Sequence, residues 1–475
     1  MSEDILKRAK SLIQIPSHWS LIIEDYCQPN ESAGYTLLSW ADEEQNEGIS
    51  MQLDPKGRLT KLSQERKEEK TDTKPLSDVD IKIIAEQFLL SHYPDALRAL
   101  TLNVNEKLEN KYRFEYVQFV MNLPLPNSGC FIEVSLTGDI LEFHYYGVKK
   151  EPATPTNIIS KEQVLTEIKR TLDFNLVLST IYAHTYNVKE QGLQLIYEPN
   201  PSVLNYRADV FPPTLTINHE EEIPPQYVTL PQQANLNENK KWSIVELIGI
   251  TDEMEVIREV DMGEEKGVVW QDRNWEEKDR DRTVEGFISR QTEGTVKAII
   301  SKNCGKLNSF IWFKERSGNL SLNREQCLQK AIEFIQKTIP NYREHLLLLA
   351  PDISEDEEVR KHESFIFHIK NKNGIPMHLE MLMVVVNCQT GLIDQYSGPS
   401  LEVEQLSELP LEPVLSKEEA ENLFLSHLDV NLAWTIDYDS KDVDYILTYE
   451  ACNKKTKTAI SGIHAITGEV ISYRE

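Results

Sequence analysis

The sequence predicts an α+β protein built as a tandem duplication, with two pseudo-symmetric halves in which helices cover antiparallel sheets. Three observations lead to this prediction. A glycine turn recurs between strand-like runs, capped helices recur beside them, and the order of these signals in the first half returns about 250 residues later. Such a repeat describes how the protein is built, and its turns and caps carry no catalytic chemistry.

Four glycine turns share one spacing, and a fifth has leucine in place of an aromatic residue. In each, an aliphatic residue follows the glycine by two positions and the aromatic residue follows it by five. Glycine enters the left-handed backbone region without steric cost, which short hairpin loops require. The spacing therefore predicts hairpins at five glycines: Gly57, Gly138, Gly305, Gly391 and Gly468.

Helices are predicted where a capping residue precedes apolar residues at helical spacing. Ser77 opens one that carries Ile81, Ala85 and Leu89 and ends before Pro94, because a proline disfavours helical backbone in the residue before it. Three other helix starts have glutamine or glutamate three positions after the cap, which is the capping-box pattern: Ser160, Asn323 and Ser416.

The two halves meet in a run rich in proline and asparagine at residues 212–240. We predict a first half at residues 1–235, with hairpins at Gly57 and Gly138, and a second half at residues 236–475, with hairpins at Gly305, Gly391 and Gly468. Pro212 and Pro213 lie near the place of the last turn, so one hairpin of the first half is predicted to have decayed. The charged segment 271–282 is predicted to be an inserted surface loop.

Composition indicates a folded protein of two to four domains, since 475 residues exceed a usual single core and 40% of them are hydrophobic. The net charge of −27 argues against nucleic acid or an anionic membrane as partner, because both attract clustered lysine and arginine. We interpret the charge as a solubilising surface. Capture of a basic partner or a cation is the alternative.

The compartment predicted from the sequence is the cytoplasm. The six cysteines form no Cys-x-x-Cys pair, and their density is far below that of small disulfide-stapled proteins. The chain starts without a recognisable signal peptide, and no stretch reaches the roughly 18 apolar residues of a membrane span. Membrane insertion is therefore not expected.

Histidine and carboxylate residues suggest metal or acid–base chemistry at four places, and each has a simpler interpretation. His362 and His368 are six apart on a predicted strand, which separates them by roughly 20 Å. His464 lies in the last predicted hairpin and is expected to be a satisfied, partly buried side chain. Two groups are interpreted as solvated segments: the pairs Asp437/Asp439 and Asp442/Asp444, which lack the rest of an EF-hand loop, and the run from His219 to Glu222.

Strand–turn pieces at residues 134–140, 386–393 and 465–470, together with residues 112–114 and 365–367, resemble the YcdB/YcdC repeated-domain family of Bacillus-type bacteria, with its PepSY-like modules. The resemblance implies modules of a helix and an antiparallel sheet. PepSY-type modules are associated with propeptides and with peptidase inhibition. The family offers no catalytic residue to carry over, so no catalytic, cofactor-binding or metal-binding residue is predicted and no cofactor is expected.

Three functions are compatible with these observations. A non-catalytic binding or regulatory protein that takes a protein or peptide partner is favoured, because sheet edges in such modules can accept a peptide strand. The first alternative is a hydrolase-like enzyme with its site in the cleft between the halves, which would require convergent polar groups there. The second is a structural or stress-related protein, which would require an apolar patch large enough for self-assembly.

Overall fold

The computed structural model describes residues 2–27, 34–65, 75–216, 225–231, 242–276, 281–339, 341–351, 360–399, 401, 405–406, 412–438 and 444–474. These residues form two large sheets, a three-stranded sheet and a two-stranded sheet, with helices packed against them. Nearly all strand pairs are antiparallel, so the mixed α+β class predicted from the sequence is confirmed.

The first half contains a repeat at residues 2–147 followed by a shorter module. The repeat consists of α1 (Ser2–Leu12), β1 (Ser20–Cys27), β2 (Tyr35–Ala41), β3 (Gly48–Leu53), β4 (Leu59–Glu65), α2 (Asp78–His92), α3 (Ala96–Ala99), β5 (Thr101–Lys107), β6 (Lys111–Val117), β7 (Phe119–Val120), β8 (Leu123–Pro124), β9 (Gly129–Ser135) and β10 (Ile140–Gly147). The module consists of α4 (Lys161–Thr171), β11 (Asp173–Ile181), β12 (Gly192–Asn200) and β13 (Asn205–Arg207), and β14 (Tyr227–Val228) lies in the connection to the second half.

The second half has the same plan. Its repeat, at residues 242–399, consists of α5 (Ile244–Ile248), β15 (Met254–Met262), β16 (Glu265–Asp272), α6 (Val284–Thr292), β17 (Thr295–Ser301), β18 (Leu307–Trp312), α7 (Arg324–Thr338), α8 (Tyr342–His345), β19 (Leu346–Leu349), β20 (His362–Lys370), β21 (Pro376–Asn387) and β22 (Ile393–Ser397). Its module consists of α9 (Lys417–His427), β23 (Leu428–Asp437), β24 (Asp444–Asn453), β25 (Ile460–His464) and β26 (Val470–Ser472).

The two repeats arrange their strands in the same order. The first sheet runs β1-β2-β3-β4-β10-β9-β6-β5, and the second repeat follows the equivalent path β15-β16-β17-β18-β22-β21-β20-β19. In each repeat the longest helix, α2 or α7, packs against the strands on the later part of this path. The tandem duplication predicted from the turns and caps is thus present in the strand order.

The local signals read from the sequence lie where they were predicted. All five hairpin glycines have positive φ, between 69° for Gly305 and 98° for Gly138, and each connects two neighbouring strands. All four predicted caps begin helices: Ser77, Ser160, Asn323 and Ser416. The last three form complete capping boxes. In each, the side chain of the capping residue accepts the backbone N–H of the third helical residue, and the side chain of that residue accepts the backbone N–H of the capping residue.

One prediction about a loop needs correction. The loop predicted at residues 271–282 begins two residues later, because Gln271 and Asp272 end β16, and residues 277–280 lie outside the described residues. The hairpin predicted to have decayed near Pro212 is present in reduced form. The Arg207 amide donates to the Thr214 carbonyl at 2.9 Å, so the chain still turns back along β13.

The shorter modules of the two halves exchange strands. We call residues 148–216 the first exchange module and residues 412–474 the second exchange module. Strands β11 and β12 of the first module lie in one sheet beside β25 and β26 of the second module. In the three-stranded sheet, β13 of the first module pairs with β24, which pairs with β23, both from the second module. Sheet membership therefore does not follow the predicted boundary at residues 235 and 236, since β11 also pairs with β21 of the second repeat.

The contacts of this exchange are reciprocal. The Tyr197 hydroxyl on β12 donates to the Leu415 carbonyl at 2.9 Å, and the Tyr449 hydroxyl on β24 donates to the Ile159 carbonyl at 3.0 Å. Each tyrosine thus reaches the residue just before the capping serine of the other half's helix.

The main core of the first repeat contains only residues of that repeat, but its Val120 and Leu125 pack with Trp434 and Tyr445 of the second exchange module. A larger core combines both exchange modules with the second repeat.

Ion pairs cross the exchange in equivalent positions but in different surroundings. Lys417 pairs with Asp173, whose side chain is 56% exposed, whereas Lys161 pairs with Asp429, whose side chain is only 11% exposed. Lys457 also bonds Asp429, at 2.8 Å. Burial acts to raise the pKa of Asp429, but the hydrogen bonds from the two lysines outweigh it and lower the pKa to about 2.

We expect Asp429→Asn to lower the free energy of unfolding by about 1.5–3 kcal/mol, because charge-assisted hydrogen bonds to a buried carboxylate are lost. The matched Asp173→Asn change is expected to cost less than about 1 kcal/mol, as for an exposed ion pair. The lowered pKa means that the wild-type contribution is present above the usual pKa of about 4 and disappears as the pH falls towards 2. Denaturation curves at pH 7 and pH 3 test this, and equal losses for the two variants at pH 7 would contradict it.

Candidate functional site

The histidines of the sequence analysis do not come together. His362 contacts the Asp394 carboxylate, Nε2 to Oδ2, at 2.9 Å, and the same oxygen accepts a bond from Asn387 at 2.8 Å. His368 is near the other end of β20, where its Nδ1 lies 3.0 Å from the Tyr227 hydroxyl and burial lowers its pKa. Both therefore have local partners of their own.

His464 supports the last hairpin turn. Its Nδ1 accepts backbone N–H groups of Ile466 and Thr467, both at 3.1 Å, and burial lowers its pKa. The interpretation of a satisfied, partly buried histidine is confirmed at this position.

The predicted acidic groups fall partly outside the described residues. Asp437, the last residue of β23, pairs with Asp444, the first residue of β24, while Asp439, Asp442 and the run from His219 to Glu222 lie outside. Within the described part of the chain, no group of three or more His, Cys, Asp and Glu side chains is arranged to hold a metal ion.

A groove of about 540 Å³ lies between the two repeats. The first repeat contributes the start of β1 and Gln45 from the turn after β2, and the second repeat contributes β15, the end of β16 and α6. The lining combines apolar side chains with amides and guanidiniums: Leu21, Ile22, Ile257, Trp275, Phe287, Gln45, Gln271, Gln291, Arg282 and Arg290, with Ser20 at one side. This groove lies in the cleft between the halves, where a hydrolase-like site was the alternative prediction.

Two equivalent edge strands converge on this groove. β1 and β15 are the first strands of their sheets, and each has one neighbour within its sheet. Each is interrupted by a bulge, between Leu21 and Ile23 in β1 and between Val256 and Arg258 in β15. A bulge redirects a side chain at a sheet edge, and the bulged residues Ile22 and Ile257 both line the groove.

The two edges differ in how the rest of the chain covers them. The Glu24 amide of β1 donates to the Arg282 carbonyl at 2.8 Å, and the Asp25 carboxylate accepts the Val284 amide at 3.0 Å. The entry to α6 thus occupies part of the β1 edge. In contrast, β15 is largely exposed, and the side chains of Val256, Ile257 and Met262 are each about half exposed.

Charged side chains are distributed unevenly along the groove. Arg282 and Arg290 lie on the α6 side, and an adjoining depression is lined by Arg258 together with Glu43 and Glu44 of the β2–β3 turn. Arg282 is 4.0 Å from the Glu24 carboxylate, and the Arg290 guanidinium lies 6.0 Å from the centre of the Phe287 ring. The helix α6 therefore brings the Phe287 ring and the Arg290 guanidinium to this cleft, and Arg282 lies just before the helix.

The described lining of the groove supplies donors and acceptors of hydrogen bonds. Its guanidiniums stay protonated and its amides do not titrate, so neither group can act as a general base. Among the described lining residues, Ser20 contributes a hydroxyl, and Glu43 and Glu44 bring carboxylates to the adjoining depression.

The residues that shape this site were not predicted from the sequence. Neither the bulges at Ile22 and Ile257 nor the meeting of the two strands has a local sequence signal. Helix α6 had a visible signal, since Thr283 is followed by Val284, Phe287 and Ile288 at helical spacing. The neighbouring charged residues hid this signal.

Two copies of one eight-stranded unit, completed by exchange modules, define a duplicated α+β repeat protein. The chain belongs to the family described as "YcdB, YcdC repeated domain", whose pattern matches residues 2–147 and 237–400. These two segments coincide with the repeats seen in the sheets, and the exchange modules lie outside them. The predicted resemblance to this family is confirmed.

Relatives from Bacillus subtilis (strain 168) match nearly the whole chain. "Uncharacterized protein YcdB" is 29% identical over 456 residues and covers 94% of each chain. "Uncharacterized protein YcdC" is 29% identical over 445 residues, which are 92% of this chain and 93% of the relative. Among solved structures, the "Bacillus megaterium YpeB C-terminal domain" matches 42% of this chain and 87% of its own, with 16% identity and a TM-score of 0.28.

Helices of the described residues are all too short or too polar to cross a membrane.

Proposed function

We propose that this protein is a cytoplasmic, non-catalytic binding protein of PepSY-like modules, and that the groove between its repeats takes an extended peptide segment of a protein partner. The observation that carries the proposal is the convergence of two equivalent edge strands, each bulged at an isoleucine, on one groove. An edge strand offers backbone donors and acceptors that a peptide strand can pair with.

The chain itself supplies a precedent for this mode of binding. The backbone of residue 282 already bonds the edge of β1 through the Glu24 amide. At the far edge of the second repeat, β19 pairs with the two-residue strand β14 from the connecting segment. Sheet edges in this fold thus accept short extended segments, and β15 presents such an edge to the groove.

The side chains of the groove favour a peptide that carries both apolar and acidic residues. Ile257 and Phe287 offer apolar contacts, and Arg258, Arg282 and Arg290 offer charge-assisted hydrogen bonds to carboxylates. Backbone pairing with β15 would supply affinity, and these side chains would supply specificity.

Selection of peptides from a displayed random library on the full-length protein tests the proposal. We expect enriched peptides to contain hydrophobic and acidic positions, and to lose about tenfold or more in affinity on Ile257→Glu or Arg258→Glu, a loss of roughly 1.4 kcal/mol. Val79→Glu is the matched control, because Val79 is 68% exposed on α2 and distant in sequence from the groove. Failure to enrich any peptide, or equal binding by all three variants, would contradict the proposal.

A further inference from the structure

A second cavity, of about 330 Å³, lies where the two exchange modules meet. Its walls come from β12, the turn before β13, β24, β23, α9 and β25, so it exists only because strands are exchanged between the halves. Its volume is at the lower end of the range for small-molecule sites. None of the residues that line this cavity also lines the groove between the repeats.

One wall carries a row of three polar side chains. In the three-stranded sheet β13-β24-β23, Glu450 of β24 lies directly opposite Asn205 on one side and Asn431 on the other. Residues that are direct partners across strands present their side chains on the same face. All three line the cavity, so a carboxylate stands between two amide groups.

The equivalent glutamate of the first exchange module, Glu198, lines the same cavity but already has a partner. Glu198 lies opposite Asn175 in β11, as Glu450 lies opposite Asn431 in β23. The Glu198 carboxylate pairs with His378, Oε2 to Nδ1, at 2.9 Å, and this hydrogen bond raises the pKa of His378. One of the two equivalent glutamates thus has a histidine partner from the second repeat.

Glu450 has no such partner among the described residues. Its carboxylate accepts a hydrogen bond of 3.4 Å from the Thr435 hydroxyl, and burial raises its pKa. Lys457 also lines the cavity, but its ammonium group bonds Asp429 at 2.8 Å. A half-buried carboxylate that gains a cation is stabilised, because the attraction compensates for lost hydration.

We infer that this cavity binds the guanidinium group of a small ligand or side chain, with Glu450 as its anionic partner and the amide oxygens of Asn205 and Asn431 on either side. A guanidinium has five N–H donors in one plane, which matches a flat row of three acceptors better than a compact ammonium does. Phe424, Val203 and Ile460 line the rest of the cavity and can hold an aliphatic chain. The inference does not depend on the proposed peptide groove.

Isothermal titration calorimetry of the full-length protein with arginine and with citrulline tests this assignment. Citrulline has nearly the same shape as arginine but a neutral urea group. We expect arginine to bind with saturation and citrulline to bind at least about tenfold more weakly. N-acetyl-arginine amide forms a third arm: preference for it indicates an arginine side chain of a peptide, and preference for arginine indicates a free small molecule.

Glu450→Gln and Glu418→Gln form the matched pair of variants. We expect Glu450→Gln to weaken arginine binding about tenfold or more, and Glu418→Gln to change it less than about threefold, because Glu418 is exposed on α9 and does not line the cavity. If Glu450→Gln fails to fold, Asn431→Leu removes one flanking acceptor and is expected to weaken binding as well. Absence of saturable binding up to about 5 mM arginine, or equal binding of citrulline, would overturn the inference.

Discussion

Expressed alone, residues 1–235 are expected to fold only as far as residue 147. The main core of the first repeat is made of its own residues, so its eight-stranded sheet can form without the second half. Strands β11 and β12, by contrast, have β21 and β25 as outer neighbours, and β13 pairs with β24. Hydrogen exchange of the fragment should therefore show native-like protection up to residue 147, except around residues 119–126, which pack against the second exchange module. Little protection is expected at residues 173–207.

The matched control for this experiment is a fragment of residues 1–147, which should show the same protection as the corresponding part of residues 1–235. Addition of residues 236–475 should restore slow exchange at residues 173–207, because the exchanged strands are supplied by the other fragment. Native-like protection of residues 173–200 in the isolated first half would contradict the strand exchange.

Phe424→Ala is expected to lower the free energy of unfolding by about 3–5 kcal/mol. Phe424 is 1% exposed on α9, and its ring packs edge-on against Phe174 of β11, with ring centres 5.4 Å apart. The contact joins a helix of the second half to a strand of the first, so truncation leaves a void at the junction. Urea denaturation followed by circular dichroism measures the loss.

Tyr438→Ala is the control for this substitution, because Tyr438 is 84% exposed just after β23. We expect its effect to stay within about 0.5 kcal/mol. A loss below about 1 kcal/mol for Phe424→Ala would show that α9 and β11 do not pack as described.

The parts of the fold that were predictable from sequence depend on local physics. Gly138 and Gly391 were recognisable because a tight turn needs positive φ, and Ser160 and Ser416 because a helix start needs a side-chain acceptor. The exchange depends on pairings between residues far apart, such as Tyr197 with Ile463. No local pattern distinguishes this pairing from one within the same half.

The candidate sites were less predictable for a related reason. Ile22 and Ile257 could be recognised as equivalent, but their convergence depends on how the two repeats pack. Asn205, Glu450 and Asn431 are ordinary residues of three strands, and they become a row only when β13 crosses to the other half. Tertiary placement creates both linings, so residue spacing alone could not reveal them.

Hydrogen exchange of the intact protein with and without a selected peptide tests the groove most directly. If an extended peptide pairs with the edge strands, exchange should slow at residues 254–262 and 20–27 and should stay unchanged at the distant edge strand β5. Slowed exchange at β5, or no change along β15 while the peptide is bound, would contradict the proposed groove.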